Sequence, residues 1–513
     1  MVKFIFSVYG AMLLAGCAGV ETRPVATQDA TPDHTLTNCR ALFEEIDDAV
    51  DRAGVRDHGP FRVPGFPYLR TTRLLASFHD EISEPARWSA WIGHMANLDA
   101  QARTLELRNL NRIRPAAGRS GGSLRDELNG CRDRLAAAEL IHPRQRARLR
   151  AAVRVPDDYV TWWRALGLYP LTAPIVEARI SAWHDVTHAT FATPLVALPV
   201  EGSLERWTAM PVASIVSPGK RPAARQMSEI LRRSRDPLGI PLPANADLHR
   251  LFDAFSPVWE VDVADDNDRI GMPRWENARN GPVVDITHPT LYRKVSHTRF
   301  GGQVLLQLNY IVWFPARPGN DIYAGQLDGI NWRVTLGPDG EPWLYDVIHN
   351  CGCYHKFFPS HRLRLRKDLL AVYFEPPLLP QPAPEGSERS PGPGPGPQQP
   401  LVLRIAHRTH FIQRLYHDET RSAPAQMAQP AQPMAWEEYD ALRSLPAGGE
   451  YRDLFGEHGL IAGTERAERF LLWPMGIRSP GAMRQWGRHA TAFVGRRHFD
   501  DAFLLESLFE KVP

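Results

Sequence analysis

Gln303-Val-Leu-Leu-Gln-Leu-Asn-Tyr-Ile-Val-Trp-Phe314 is the clearest structural signal in this chain of 513 residues. Successive side chains of a β-strand point to opposite faces, so alternate positions share a face. One face is then wholly apolar: Val304, Leu306, Leu308, Tyr310, Val312 and Phe314. The other mixes polar and apolar side chains: Gln303, Leu305, Gln307, Asn309, Ile311 and Trp313. The pattern predicts a long strand with one apolar and one mixed face.

Further strand signals follow on the C-terminal side of this stretch. Residues 332–336 and 343–349 are strand-like, and the turn residues Gly337-Pro-Asp-Gly340 separate them. This arrangement predicts a β-hairpin with a four-residue turn. Residues 401–416 predict one more strand.

Proline and glycine dominate the segment from Pro376 to Pro400, which includes Pro391-Gly-Pro-Gly-Pro-Gly-Pro397. Such a segment can hold neither a helix nor a strand ladder. Because strand-like sequence flanks it on both sides, we expect an exposed loop within one β-rich domain, residues 255–420. A linker between two domains is the alternative.

Helical periodicity marks the sequence on either side of this β-rich part. In the N-terminal part, apolar residues recur at helical spacing at Cys39, Leu42, Phe43, Ile46 and Val50, and again at Leu124, Leu128, Cys131 and Leu135. In the C-terminal part they recur at Trp436, Tyr439, Leu442 and Leu445. The predicted fold class is therefore α+β: a helical domain over 35–250, a central and mostly antiparallel β domain, and a helical C-terminal region over 433–513.

Composition bounds the functional classes. Hydrophobic residues make up 43% of the chain, enough for a large core, and the formal net charge is only +2. A nearly neutral chain lacks the basic excess of a dedicated nucleic-acid binder. We therefore expect no nucleic-acid partner.

The N-terminus has the layout of a secretory signal peptide. Lys3 precedes an apolar run from Phe4 to Leu14, which is too short to span a bilayer. Leu14-Ala-Gly-Cys17 closes the segment and resembles the lipobox of bacterial lipoproteins. The resemblance covers residues 1–17 only. We recognise no family for the mature chain.

This resemblance implies a location. In lipoproteins the lipobox cysteine becomes the first mature residue and carries the lipid, palmitate included, so Cys17 would be the anchor in the bilayer. Ala18 follows, where an aspartate would favour retention in the inner membrane, so the resemblance implies the outer membrane of a Gram-negative cell, with the body facing the periplasm. Residues 18–34 are polar and read as a flexible tether.

Four cysteines are left after Cys17, an even number in a compartment that would be oxidising. Cys39 and Cys131 both lie on predicted apolar helix stripes, and a disulfide between them would staple two helices. Two buried free thiols are the alternative.

The second pair of cysteines belongs to His349-x-Cys351-x-Cys353-x-His355, the densest group of potential metal ligands in the sequence. Thiolate and imidazole bind zinc or copper(I), so either metal is a candidate cofactor. In an extended strand the four side chains would spread over roughly 20 Å, so the chain would have to curl, and Gly352 could allow it. A structural or redox-active disulfide and a plain rigid loop are competing interpretations.

Other histidines are weaker metal candidates. His184 and His188 lie four residues apart on a predicted helix, as in His-Glu-x-x-His metalloproteases, but Asp185 replaces the glutamate base. His297 and His361 could complete a site with the cysteine pair. A continuous strand over 401–416 would place His407 and His410 on opposite faces, so we do not expect them to bind one ion unless a bulge intervenes.

Catalytic residues are not identifiable from sequence. No Gly-x-Ser-x-Gly or comparable nucleophile motif is present, and carboxylates such as Asp321, Asp328 and Asp346 cannot be paired without distances. A basic C-terminal stretch with interleaved aromatic residues is most simply a solvated basic face, as charge runs usually are, and could instead contact lipid headgroups or an anionic glycan. It comprises Arg478, Arg484, Arg488, His489, Arg496, Arg497 and His498 with Trp486, Phe493 and Phe499. We expect a lipoprotein with a binding or envelope-structural role and a possible protein or glycan partner. The alternative is a metal-dependent or redox enzyme with its site around His349, Cys351, Cys353 and His355.

Overall fold

A computed structural model describes residues 34–110, 121–211, 224–276, 281–367, 375–384, 400–417 and 430–512. The expected lipidation site Cys17, residues 18–33 of the tether and residues 385–399 of the proline-rich loop lie outside these ranges. None of the described helices has the length and apolarity needed to cross a bilayer.

The N-terminal part is mainly helical. Its elements are α1 (His34–Ala53), β1 (Phe61–Val63), β2 (Phe66–Thr71), α2 (Arg73–Ala76), α3 (Pro85–Leu110), α4 (Gly121–Glu139), α5 (Pro143–Ala152), α6 (Thr161–Leu166), α7 (Tyr169–Ala192), β3 (Ser203–Ala209), α8 (Ala224–Arg233) and α9 (Asn245–Phe255). A disulfide joins Cys39 in α1 to Cys131 in α4, with their Cα atoms 5.1 Å apart, and both residues lie in the apolar core of this part. The bond expected from the two apolar stripes is therefore present.

The central part is mainly β. It contains β4 (Val258–Val263), β5 (Met272–Trp275), β6 (Pro282–Asp285), β7 (Thr290–Phe300), β8 (Gln303–Arg317), β9 (Gly325–Leu336), β10 (Pro342–His349), β11 (Lys356–Pro359), β12 (Leu363–Leu365), β13 (Leu401–Ile405) and β14 (Ile412–His417). The C-terminal part adds β15 (Gln432–Glu438), β16 (Leu445–Ala447), β17 (Glu450–Arg452), α10 (Arg469–Leu472), α11 (Leu504–Leu508) and β18 (Phe509–Lys511). The fold class is thus α+β, as predicted.

Ten strands form one curled sheet in the order β11-β10-β9-β8-β7-β15-β3-β4-β13-β14. Most neighbours are antiparallel; β13 with β4, β15 with β3 and β15 with β7 are parallel. Two of the strands, β3 and β15, come from outside the range 255–420 that sequence assigned to the β domain. The predicted hairpin is present as β9 and β10, paired from Leu336 with Pro342 to Ile330 with His349.

Strand β8 has one apolar and one mixed face, as the alternation predicted. The apolar face packs into the largest core, with Leu306, Tyr310 and Phe314 all inaccessible to solvent. The mixed face is covered by the C-terminal part; Trp486 donates its indole N–H to Asn309 Oδ1 at 3.3 Å. A long strand buried on both faces needs polar partners on one of them, and the C-terminal part supplies these.

Two local predictions differ from the structure. The segment from Trp436 is not an α-helix: β15 runs to Glu438 and a 3-10 turn follows over Tyr439–Ser444. In the fold this segment pairs with β3 and β7, and the strand hydrogen bonds and packing gained there outweigh the helical tendency that its periodicity indicates. The strand predicted over 401–416 is a hairpin, β13 and β14, interrupted by residues 406–411, where Arg408 and His410 take left-handed backbone conformations.

Candidate functional site

Polar side chains lie at one end of the inner face of the curled sheet, where the apolar core stops. On β9 the inner face runs from Trp332 and Ile330 to Asp328, and on β10 it runs from Val347 to His349. Because alternate residues of a strand share a face, Asp328 and His349 continue the same two inward rows. Both are buried.

Three further residues join them. Lys356 begins β11, His410 lies in the β13–β14 turn, and Asp268 ends a 3-10 turn that follows β4. Each is at most 2% exposed. We call Asp268, Asp328, His349, Lys356 and His410 the inner polar cluster.

The histidines and carboxylates of this cluster form a connected series. His410 donates from Nδ1 to Asp328 Oδ2 at 2.8 Å, and its Nε2 lies 3.4 Å from Asp268 Oδ1. His349 Nδ1 lies 3.3 Å from the other oxygen of Asp328. The series runs Asp268, His410, Asp328, His349; its first link is an ion-pair contact and the other two are hydrogen bonds.

Electrostatics separate the two histidines. Burial opposes a charge on both rings, but the bonds of His410 to Asp268 and Asp328 outweigh burial and raise its pKa. For His349 burial prevails and the pKa is lowered. Burial also opposes ionisation of Asp328, but the two histidines hold its carboxyl pKa well below the usual range. At pH 6.5 a mostly charged His410 and a mostly neutral His349 therefore share one ionised carboxylate.

Lys356 differs from the other four members. Among the described residues no hydrogen bond or ion pair reaches its ammonium group, and burial lowers its pKa to about 7. Its Nζ lies 5.1 Å from the ring of Trp183 and 5.2 Å from the ring of Phe411. A lysine in such surroundings is largely a neutral amine slightly above neutral pH, which is the nucleophilic form.

Three aromatic rings lie over the cluster. Tyr354 packs on Phe411 at a centroid distance of 4.5 Å, and Trp183 packs on Tyr354 at 5.3 Å. Trp183 is supplied by α7 and Tyr354 by the turn before β11. These rings, the aromatic cover, limit the access of water to the Lys356 amine.

The four residues of the His-x-Cys-x-Cys-x-His motif are not brought together as one ligand set. His349 contacts Asp328, whereas His355 Nε2 forms a hydrogen bond with Asp346 Oδ2 at 2.9 Å. Asp346 is also paired with Arg333. The turn between them does curl, and Gly352 takes the left-handed conformation it requires (φ 91°).

Cys351 and Cys353 are free and buried. They border a space of only about 10 Å³ that Ile477 and Ala490 also line. A hydrogen bond to the Cys351 thiol and burial raise the Cys353 pKa well above its usual range, so the thiolate needed for metal or disulfide chemistry is disfavoured. Within the described part of the chain, no three histidine, cysteine or acidic side chains are arranged to hold a metal ion. Zinc or copper at this turn stays a prediction.

The weaker metal candidates are dispersed. His184 and His188 lie on α7; burial chiefly lowers the pKa of His184 to about 4, and His188 is exposed. His297 Nε2 donates to the Pro241 carbonyl at 2.9 Å, and burial lowers its pKa to about 4. His361 is exposed in the turn before β12.

The basic C-terminal stretch is mostly interior. Arg484, His489, Arg497 and His498 are buried, and Arg496 alone of the seven basic residues is exposed. The stretch is therefore not the solvated basic face that its charge run favoured, and contact with headgroups or a glycan stays a prediction. Its side chains bond to backbone carbonyls and acidic groups, as in the pair of Arg497 with Glu375.

Sequence reasoning missed Lys356 and Asp268 and rejected His410. The rejection assumed a continuous strand; the hairpin turn instead brings His410 inward. A signal for Lys356 was present, since a lone lysine precedes the apolar pair Phe357-Phe358. No protein-family profile, curated protein or solved structure matches this chain.

Proposed function

We propose that this protein is a lipoprotein anchored in the outer membrane through Cys17, and that its β domain binds a small ligand carrying a carbonyl group at Lys356. The observation that carries the ligand site is the buried amine of Lys356, which lacks a polar partner among the described residues and lies beside the Asp328 series. The lipobox and the disulfide expected in an oxidising compartment support the location.

The reaction that suits this amine is reversible imine formation. The lone pair of Lys356 Nζ forms a C–N bond with the carbonyl carbon, and the carbonyl oxygen takes a proton. The resulting carbinolamine loses that oxygen as water, leaving a C=N bond. No electron donor or acceptor is needed. A desolvated lysine with a lowered pKa is the form of the residue that performs this chemistry.

The histidines of the inner polar cluster would serve the proton transfers. The ammonium of Lys356 contributes to lowering the pKa of His349, which places the two groups in one electrostatic environment. A neutral His349 can accept the proton that Lys356 releases on attack, and Asp328 stabilises the imidazolium that results. His410 and Asp268 hold Asp328 in position.

Reductive trapping tests the proposal. Beyond residue 17 the chain has five lysines, at positions 220, 294, 356, 367 and 511, so a peptide map resolves all of them. Protein lacking residues 1–17 would be treated with glyoxylate and cyanoborohydride at pH 7. We expect carboxymethylation first and mainly at Lys356, and none at that position in Lys356→Arg. Modification confined to the other lysines would contradict the proposal.

Anchoring is tested independently. Cells expressing the full chain would be fed labelled palmitate and their membranes fractionated. We expect label in the wild type and none in Cys17→Ser. The variant should also be lost from the outer-membrane fraction. An unlabelled wild type would refute the anchor without affecting the Lys356 test.

A further inference from the structure

One side of the molecule carries a group of large apolar side chains that nothing in the described chain covers. They belong to α6, to the junction that leads into α7, to the first half of α7, and to α10 with the turn that follows it: Trp162, Leu166, Leu168, Leu171, Ile175, Phe470, Leu471 and Trp473. Seven of the eight are between 60% and 69% exposed, and Trp473 is 38% exposed. We call this set the apolar surface.

The three segments meet in the fold. Val160, just before α6, donates its N–H to the Gly476 carbonyl at 2.7 Å, and Arg164 donates to the Met475 carbonyl at 2.8 Å. Gly167, between α6 and α7, lies so close to Pro474 that a Cβ there would be 2.5 Å from the proline ring. The corner between α6 and α7 therefore rests on the residues that follow α10, which places the exposed side chains on one part of the surface.

Helix α7 is unusual for a helix on the outside of a folded protein. Only Ala173, Thr187 and Phe191 of its 24 residues are buried. Charges are also scarce: residues 161–200 contain only Arg164, Glu177, Arg179 and Asp185. A surface helix normally turns a charged face to water, and an apolar patch of this kind marks a contact site.

We infer that the apolar surface contacts the lipid bilayer. The inference rests on the proposed anchoring at Cys17. Residue 34, where α1 begins, is 17 residues beyond that cysteine, so the chain between them spans at most roughly 60 Å. A body held so close meets the bilayer at an effective concentration in the millimolar range, which adds to the affinity of the apolar surface itself.

The composition of the surface fits lipid. Its two tryptophans suit the boundary between headgroups and acyl chains, and its leucine, isoleucine and phenylalanine side chains suit the acyl region. The exposed charges on α7 carry no positive excess, since Arg179 stands against Glu177 and Asp185. Binding is therefore driven by apolar burial and does not require anionic lipid.

Vesicle flotation tests the inference on protein lacking residues 1–17. The variant is Leu171→Asp with Ile175→Asp, and the control is Ile141→Asp, an equally exposed apolar residue (67%) in the turn between α4 and α5. We expect the parent and control to float with phosphatidylcholine vesicles, with little change in salt or on adding phosphatidylglycerol. The double variant should bind at least tenfold more weakly while retaining its circular dichroism and melting temperature.

Tryptophan quenching by brominated lipid supplies a second readout that does not depend on the aspartate variants. The quenching should fall in Trp162→Phe with Trp473→Phe and persist in Trp88→Phe. A parent protein that does not float, or equal losses in the variant and control, would overturn the inference. So would self-association of the parent that the double variant abolishes, because the surface would then join two copies. Palmitate labelling of the full chain distinguishes a failed surface from a failed anchor.

Discussion

His410 lies flat against Phe314, with ring centroids 4.0 Å apart and ring planes at 2° to each other. Phe314 belongs to β8, the fourth strand of the sheet, and His410 to the turn between the last two, β13 and β14. The stack therefore closes the curled sheet on itself. It also fixes the imidazole between Asp268 and Asp328, so packing and charge depend on the same ring.

His410→Gln is expected to destabilise the protein by about 3–5 kcal/mol at pH 6, because two buried carboxylates lose their cation. The pKa of His410 is raised from 6.5, so its charged form stabilises the fold fully below 6.5 and this contribution is lost as pH rises through the folded value. The cost should shrink at pH 9. Urea denaturation at both pH values checks this.

The control is His407→Gln in the same turn, where the side chain is 37% exposed; it should cost less than about 0.5 kcal/mol at either pH. An equal cost of His410→Gln at pH 6 and pH 9 would contradict the charged pairing.

Lys356→Met is expected to stabilise the protein at pH 6, where the wild type buries an unpaired ammonium, by on the order of 1–4 kcal/mol. The folded pKa of about 7 lies below the unfolded 10.5, so between these values the unfolded chain binds more protons. Wild-type stability therefore rises with pH across that window, and the advantage of the variant should fade toward pH 10. Chemical denaturation from pH 6 to 10 measures it.

Lys294→Met is the matched control, because that ammonium lies 3.3 Å from Asp440 Oδ1 and is partly exposed. A stabilisation by Lys356→Met that does not change with pH would mean that packing, and not charge burial, is responsible.

Asp346→Asn should be among the most destabilising single substitutions in the β domain. Arg333 donates to both carboxylate oxygens of Asp346, at 2.9 and 2.6 Å, and His355 contacts one of them. All three side chains are at most 1% exposed, so the change leaves a buried guanidinium without its counter-ion and should cost about 3–5 kcal/mol. Thermal unfolding compared with Asp133→Asn, whose carboxylate is 69% exposed, checks the size of the effect.

Cys39→Ser is expected to lower the free energy of unfolding by about 4–5 kcal/mol, because the disulfide closes a loop with a sequence separation of 92. Reductant should destabilise the wild type and leave the variant unchanged. Equal sensitivity of both proteins to reductant would show that the bond does not form in solution.

Local sequence patterns predicted much of the fold. The alternation over Gln303–Phe314 identified both faces of β8, and the Gly337–Gly340 turn located the β9–β10 hairpin. Two apolar helix stripes indicated the Cys39–Cys131 bond. Each of these features depends on residues close in sequence or on a strong hydrophobic preference. Sequence patterns were therefore enough to predict them.

The candidate site could not be found in this way because its members meet only through the curl of the sheet. His410 is 82 residues from Asp328 in sequence, and Asp268 comes from a third segment, the turn after β4. The sequence instead drew attention to the His-x-Cys-x-Cys-x-His motif. Strand β10 ends at His349 and β11 begins at Lys356, so the two histidines of the motif contact different partners. The lowered pKa of Lys356 arises from burial, which a sequence pattern does not reveal.

The central claim is that Lys356 is a reactive neutral amine near pH 7, and competitive labelling with trace acetic anhydride from pH 5 to 11 tests it most directly. Mass spectrometry would follow the acetylation of each lysine-containing peptide. We predict that Lys356 is modified with a midpoint at about pH 7, well below the ordinary lysine value of 10.5. A Lys356 midpoint near 10.5, or no modification of Lys356 at any pH, would contradict this claim.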